Sequence, residues 1–190
     1  MLLALGWLLA AGCGLGPGLE GPPWDAAGER PEALRVCVLR DESLPPERAE
    51  NVMAAVSQAL APHGVALTVP WYRPWPRPAF AQEGLTRDLA LRPLEPPCDR
   101  LLALVGRDGR DFLWGLLLPE VLGAVERRTH TKGYAVARVG SLNQVLSFNR
   151  PEATAFHEVL HMLGCAHGDA GADCALRIQA LVAEARANRA

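Results

Sequence analysis

Apolar residues recur along this chain with two spacings, and the alternation between them outlines an α/β fold. Residues 34–39 are apolar and partly β-branched and run on to Asp41, the pattern of a buried strand. In residues 46–60 the apolar positions Ala49, Val52, Met53, Val56, Ala59 and Leu60 fall at helical spacing. Ser43 and the Pro45-Pro46 pair open that helix, and Gly64 closes it. Residues 65–69 predict a second strand and 101–105 a third, separated by a Pro-rich excursion with one short helix over 80–91. Within the excursion Trp71, Tyr72 and Trp75 alternate with Arg73 and Arg77 among prolines, which reads as a packed surface loop.

Residues 112–118 and 121–126 predict further extended structure, turning through 127–133 into a strand over 134–139. Pro151 sits at an early helical position, where its missing N–H costs nothing, and opens a helix whose buried face is Phe156, Val159, Leu160 and Leu163. A terminal helix over 174–189 is expected to pack through Leu176, Leu181, Val182 and Ala185. Its last turn is basic, which suits the helix dipole.

The helix after Pro151 carries the chemistry. Residues 157–167 read His-Glu-Val-Leu-His-Met-Leu-Gly-Cys-Ala-His, an H-E-x-x-H-x-x-G-x-x-H pattern. His157 and His161, four residues apart, lie one above the other on one helical face, so local backbone alone supplies two metal ligands. Glu158 lies roughly 100° around the helix, where its carboxylate can serve as general base without entering the ligand shell. Gly164 is placed for a left-handed turn that brings His167 back as a third ligand. Three imidazoles with a position left for water make the catalytic rather than the structural pattern for zinc. Three of the chain's five histidines fall in this motif, and a chance match is on the order of one in 10⁵ from residue frequencies. His63 and His130 read as solvated residues of a loop and a turn, and Asp169 and Asp173 as solvated loop carboxylates. Two other roles stay open for Asp169: orienting a bound imidazole, or replacing His167 as ligand.

The elongated motif resembles that of the metzincin clan of zinc metallopeptidases. Cys174-Ala175-Leu176 is similar, displaced by one residue, to the C-x-M that follows the third histidine in archaemetzincins. The segments 111–115 and 134–138 resemble that family's strands before the active-site helix. The resemblance implies a metzincin-like zincin domain with a mixed twisted sheet, one zinc per chain and peptide or protein substrates. It also implies that the edge-strand pair before the active-site helix binds peptide, although an ordinary structural hairpin accounts for those residues equally well. Three features depart from the family. No Met follows His167, so Leu176 is expected to stand in for the methionine beneath the metal; no Tyr follows it either; and the family's further cysteine pairs are missing. These departures keep a second reading open, an exported zinc- or peptide-binding module without catalytic activity.

Residues 1–12 are apolar and end in Ala10-Ala11-Gly12-Cys13, which resembles the lipobox of bacterial lipoproteins. The stretch is too short to span a bilayer, so a cleaved export signal with lipidation at Cys13 is expected, at the periplasmic face or the cell surface. A simple signal peptide with Cys13 incidental is the alternative. Residues 14–33, rich in Gly and Pro, read as a flexible tether, and 34–190 as one zinc peptidase domain. In an exported domain Cys37, Cys98, Cys165 and Cys174 favour disulfides. Of three pairings, Cys37 with Cys98 joins the first and third strands, and Cys165 with Cys174 braces the loop of His167. The competing use of Cys165 or Cys174 is as a metal ligand. With a net charge of −2 and no basic run interleaved with aromatics, nucleic acid is not an expected partner.

Overall fold

The computed structural model describes residues 31–106, 121–137, 150–169 and 171–188. The expected export signal with Cys13, nearly all of the tether, the extended run 112–118 and the end of the strand over 134–139 lie outside the described residues. The architecture is mixed α/β. Strands β1 (Glu32–Asp41), β2 (Val65–Thr68), β3 (Tyr72–Trp75), β4 (Arg100–Val105), β5 (Gly123–Val125) and β6 (Lys132–Val136) form one sheet in the order β2-β1-β4-β6-β5. Only β5 runs antiparallel to its neighbour; the other pairings are parallel.

The first half of β1 pairs with β2 and its second half with β3. The Trp71–Trp75 stretch is therefore not a surface loop. Tyr72–Trp75 is a short strand, and Trp75 is fully buried with its indole N–H donating to Asp88 at 3.0 Å. The prolines that argue for a loop are tolerated because this strand is short and pairs with β1 alone.

Helices α1 (Pro46–Leu60), α2 (Gln82–Leu91), α3 (Pro151–Met162) and α4 (Gly171–Ala187) cover the sheet. The central strands are apolar on both faces, as parallel strands between two helical layers must be. Val36, Val38, Leu102, Leu104, Ala135 and Ala137 share one core with residues of α1, α3 and α4. The alternate positions Cys37, Leu39, Leu101, Ala103, Val105, Tyr134 and Val136 share the other with Leu85 and Leu89 of α2. In α1 the buried stripe is Ala49, Val52, Met53, Val56 and Leu60, close to the one the spacing predicts. Each large side chain in that stripe removes area worth roughly 1.5–3 kcal/mol.

The terminal helix starts at Gly171, three residues before the expected start, and shows a different face. Cys174, Ala175, Ile178 and Val182 are buried, whereas Leu176 is 63% exposed and Leu181 is 42% exposed. Leu176 therefore provides no apolar floor for a metal. His63 is also not solvated: it is buried in the short 3₁₀ turn Ala61–His63 that precedes Gly64. His130 is exposed, as expected. Cys37–Cys98 and Cys165–Cys174 are both disulfides, so neither Cys165 nor Cys174 is a metal ligand. No helix among the described residues is long and apolar enough to cross a membrane.

Candidate metal centre

Helix α3 presents the motif, and interactions at both of its ends fix its position. Pro151 occupies the first turn after an extended Arg150. Glu152 in that turn pairs with Arg48 of α1 at 2.7 Å, and Arg48 also donates to the Ala137 carbonyl beyond β6. At the other end Arg100, the first residue of β4, donates to the Met162 carbonyl at 3.0 Å. Val159 and Met162 are buried against the sheet, with Phe156 and Leu160 partly buried around them.

The helix ends as the sequence requires. Gly164 adopts φ +88°, a left-handed conformation that costs a residue with a Cβ roughly 1–2 kcal/mol. Around it the Cys165 N–H donates to Leu160 O at 3.1 Å and the Gly164 N–H to His161 O at 3.0 Å. These two bonds form the Schellman arrangement, which satisfies carbonyls the last helical turn leaves open. The chain reverses there and carries His167 toward the two helical histidines.

The three imidazoles converge. His157, His161 and His167 place one ligand atom each within 4.8 Å of the others, and His157 Nε2 lies 2.9 Å from His161 Nε2. A tetrahedral zinc with bonds of ~2.0–2.1 Å separates its ligand nitrogens by about 3.3 Å, so modest side-chain adjustment brings the set onto an ion. The protonation states fit as well. His161 Nδ1 lies 2.6 Å from the Cys165 carbonyl oxygen, which can only accept, so Nδ1 carries the proton and Nε2 keeps its lone pair for a metal. Burial, helped by the neighbouring His161 and His167, pushes His157 down to about 4, and burial lowers His161 too. Both rings are then neutral at pH 7, the form that binds a metal.

Glu158 is 3% exposed, and burial pushes its carboxyl up to about 8. Asp169 is not a ligand but a brace of the loop. Its carboxylate accepts from the Ala166 N–H at 2.7 Å and faces Arg177 of α4 at 3.6 Å. Asp173 is exposed at the start of α4. The Cys165–Cys174 disulfide ties this loop to α4, so His167, itself exposed, hangs from a segment held on both sides. Sequence reasoning missed Gly123, whose Cα faces the Glu158 side chain. An isolated glycine in a short apolar strand carries no signal of which helix approaches it.

No family model and no curated protein matches this chain. Among solved structures it is similar to the archaemetzincin of Methanopyrus kandleri, with a TM-score of 0.52 and 16% identity. The match covers 83% of this chain and 97% of that one. At that identity the likeness is one of fold, and the chain has an archaemetzincin-like zincin fold.

Proposed function

We propose that this chain is a zinc-dependent metallopeptidase in which His157, His161 and His167 hold one zinc and Glu158 is the general base. The observation that carries the proposal is the convergence of three imidazoles within 4.8 Å, two from a helix that also buries the adjacent Glu158 and one from the loop that follows it. The archaemetzincin-like fold supports it.

Zinc in such a site supplies Lewis acidity and acidifies water. Glu158 takes the proton from the water that attacks the scissile carbonyl and hands it to the departing amine. Burial raises the Glu158 carboxyl in the metal-free chain, and a bound zinc would draw it back toward the ionised form that a general base needs. The β5 strand, antiparallel and last in the sheet among the described residues, offers main-chain groups to an extended peptide. Pairing of that kind gives affinity with little sequence selectivity. Endopeptidase and aminopeptidase action are both compatible with it.

The domain, residues 34–190, would work outside the cytoplasm, tethered by residues 14–33 to a lipid anchor at Cys13. Two disulfides support an oxidising compartment. The exposure of Leu176, which leaves the methionine of related sites without a counterpart, favours a second reading: an exported zinc- or peptide-binding module without catalysis. Cleavage of a quenched peptide library before and after chelation separates the two. The peptidase reading expects activity that chelation abolishes and zinc restores; zinc binding without any cleavage establishes the module.

A further inference from the structure

Two hydrogen bonds fix which way the backbone of β5 faces. The Val136 N–H donates to Leu122 O at 2.7 Å and the Glu126 N–H to Lys132 O at 2.8 Å, so Leu122 and Glu126 turn toward β6. Gly123 and Val125, paired with Ala135 and Gly133, occupy the alternate positions. In an antiparallel ladder those residues direct their N–H and C=O groups away from the partner strand, here toward the side of β5 that no other described strand occupies. Gly123 also faces the helix. A Cβ built on it would lie 2.4 Å from Glu158 Oε1 and 2.6 Å from both Cδ and Cγ. The missing side chain at 123 is thus the recess that receives the carboxyl group.

We infer that Gly123 is a positioning residue: the absence of a side chain there seats the Glu158 carboxyl beside the metal ligands. The inference rests on the peptidase reading and names a second residue for the same site. A methyl group at 123 must displace the carboxyl, which ordinarily is easy for the end of a long side chain. Here Gly123 is buried and Glu158 is 3% exposed, so the carboxyl has no solvent to swing into and moves within the site. Displacement of a catalytic group by about 1 Å costs on the order of 10²-fold in rate.

The test compares wild type, Gly123→Ala, Glu158→Ala and the double variant, each as the zinc-loaded chain. Gly123→Ala should keep one zinc and a KM within about threefold of wild type and lose on the order of 10²-fold in kcat. A purely structural role would lower Tm and leave kcat of the folded, zinc-loaded protein in place. A second readout does not depend on turnover. Gly123→Ala should lower Tm by several degrees in the wild-type background and by less than half as much when Glu158 is already Ala, because the contact has gone. Equal Tm losses in the two backgrounds overturn the inference, even if Gly123→Ala is too unstable to assay. Wild-type cleavage with an equally active Gly123→Ala protein overturns the role of Gly123 and leaves the peptidase intact. Absence of cleavage by the wild type overturns both.

Discussion

Replacing Cys165 and Cys174 together with Ala separates what their disulfide does for the fold from what it does for the site. The bridge spans 9 positions, and removing that loop closure from the unfolded chain corresponds to about 2.6 kcal/mol. In a domain of this size that is a fall in Tm of roughly 5–10 °C. The bridge also anchors the segment bearing His167, and the Cys165 carbonyl orients His161. If its loss frees even one residue of that loop, zinc must re-order it at a cost of about 1–2 kcal/mol. The zinc Kd then rises roughly 5- to 30-fold. Cys37–Cys98 is the control. It closes 61 positions, worth about 4.3 kcal/mol, and belongs to the core on the opposite face of the sheet from α3. Its replacement by Ala should cost more stability and leave zinc affinity unchanged. Calorimetric melting and competitive zinc titration read the two quantities. An unchanged zinc Kd in the Cys165→Ala/Cys174→Ala protein would refute the claim that the bridge holds the third ligand.

The buried carboxyl also makes the metal-free protein sensitive to alkali. Glu158 titrates at about 8 in the folded chain and near 4.5 when unfolded, so across that window the folded state holds a proton the unfolded state has lost. Stability must therefore fall as pH rises, by about 0.8 kcal/mol between pH 7.5 and 9, above the range in which the unfolded histidines still take up protons. Urea melts of the metal-free wild type should show this slope, and Glu158→Gln should abolish it. Below pH 6.5 the lowered His63, His157 and His161 act oppositely: the unfolded chain takes up protons the folded chain refuses, and acid destabilises. On α4, Leu176→Gln should change stability by no more than about 0.5 kcal/mol, and Ile178→Ala should cost roughly 2–5 kcal/mol. A costly Leu176→Gln in urea melts would mean that Leu176 is covered after all.

The parts of this fold legible in the sequence are those where local rules act alone. The spacing of His157 and His161, the Pro151 start and the Gly164 stop all describe one helix and its cap, and each is observed. The strands β1 and β4 are legible because residues 36–39 and 101–105 are buried on both faces and read as short apolar runs. Cys37 of β1 and Cys98, just before β4, are joined where these two parallel strands lie side by side.

Sequence reasoning failed where a non-local partner decides. Tyr72–Trp75 becomes a strand because the second half of β1 offers it an edge, which no local pattern announces among prolines. Of the face expected for α4 only Val182 is buried; the rest of its stripe is the small Cys174 and Ala175 with Ile178, while Leu176 and Leu181 point outward. His63 is buried by elements folding over it, with its Nδ1 left without a hydrogen-bond partner among the described residues. Gly123 stayed invisible for the same reason: its importance lies in a helix that returns to it from later in the chain.

The central claim is that two histidines and one carboxyl of a helix, with a third histidine from the loop that follows it, form a hydrolytic centre. The most direct test measures zinc per chain and cleavage of a quenched peptide library for wild type and Glu158→Gln in parallel. The account predicts one zinc in both proteins and cleavage by the wild type, reduced at least 10²-fold in the variant. Wild-type rates in the Glu158→Gln protein, or no zinc in either, would contradict it.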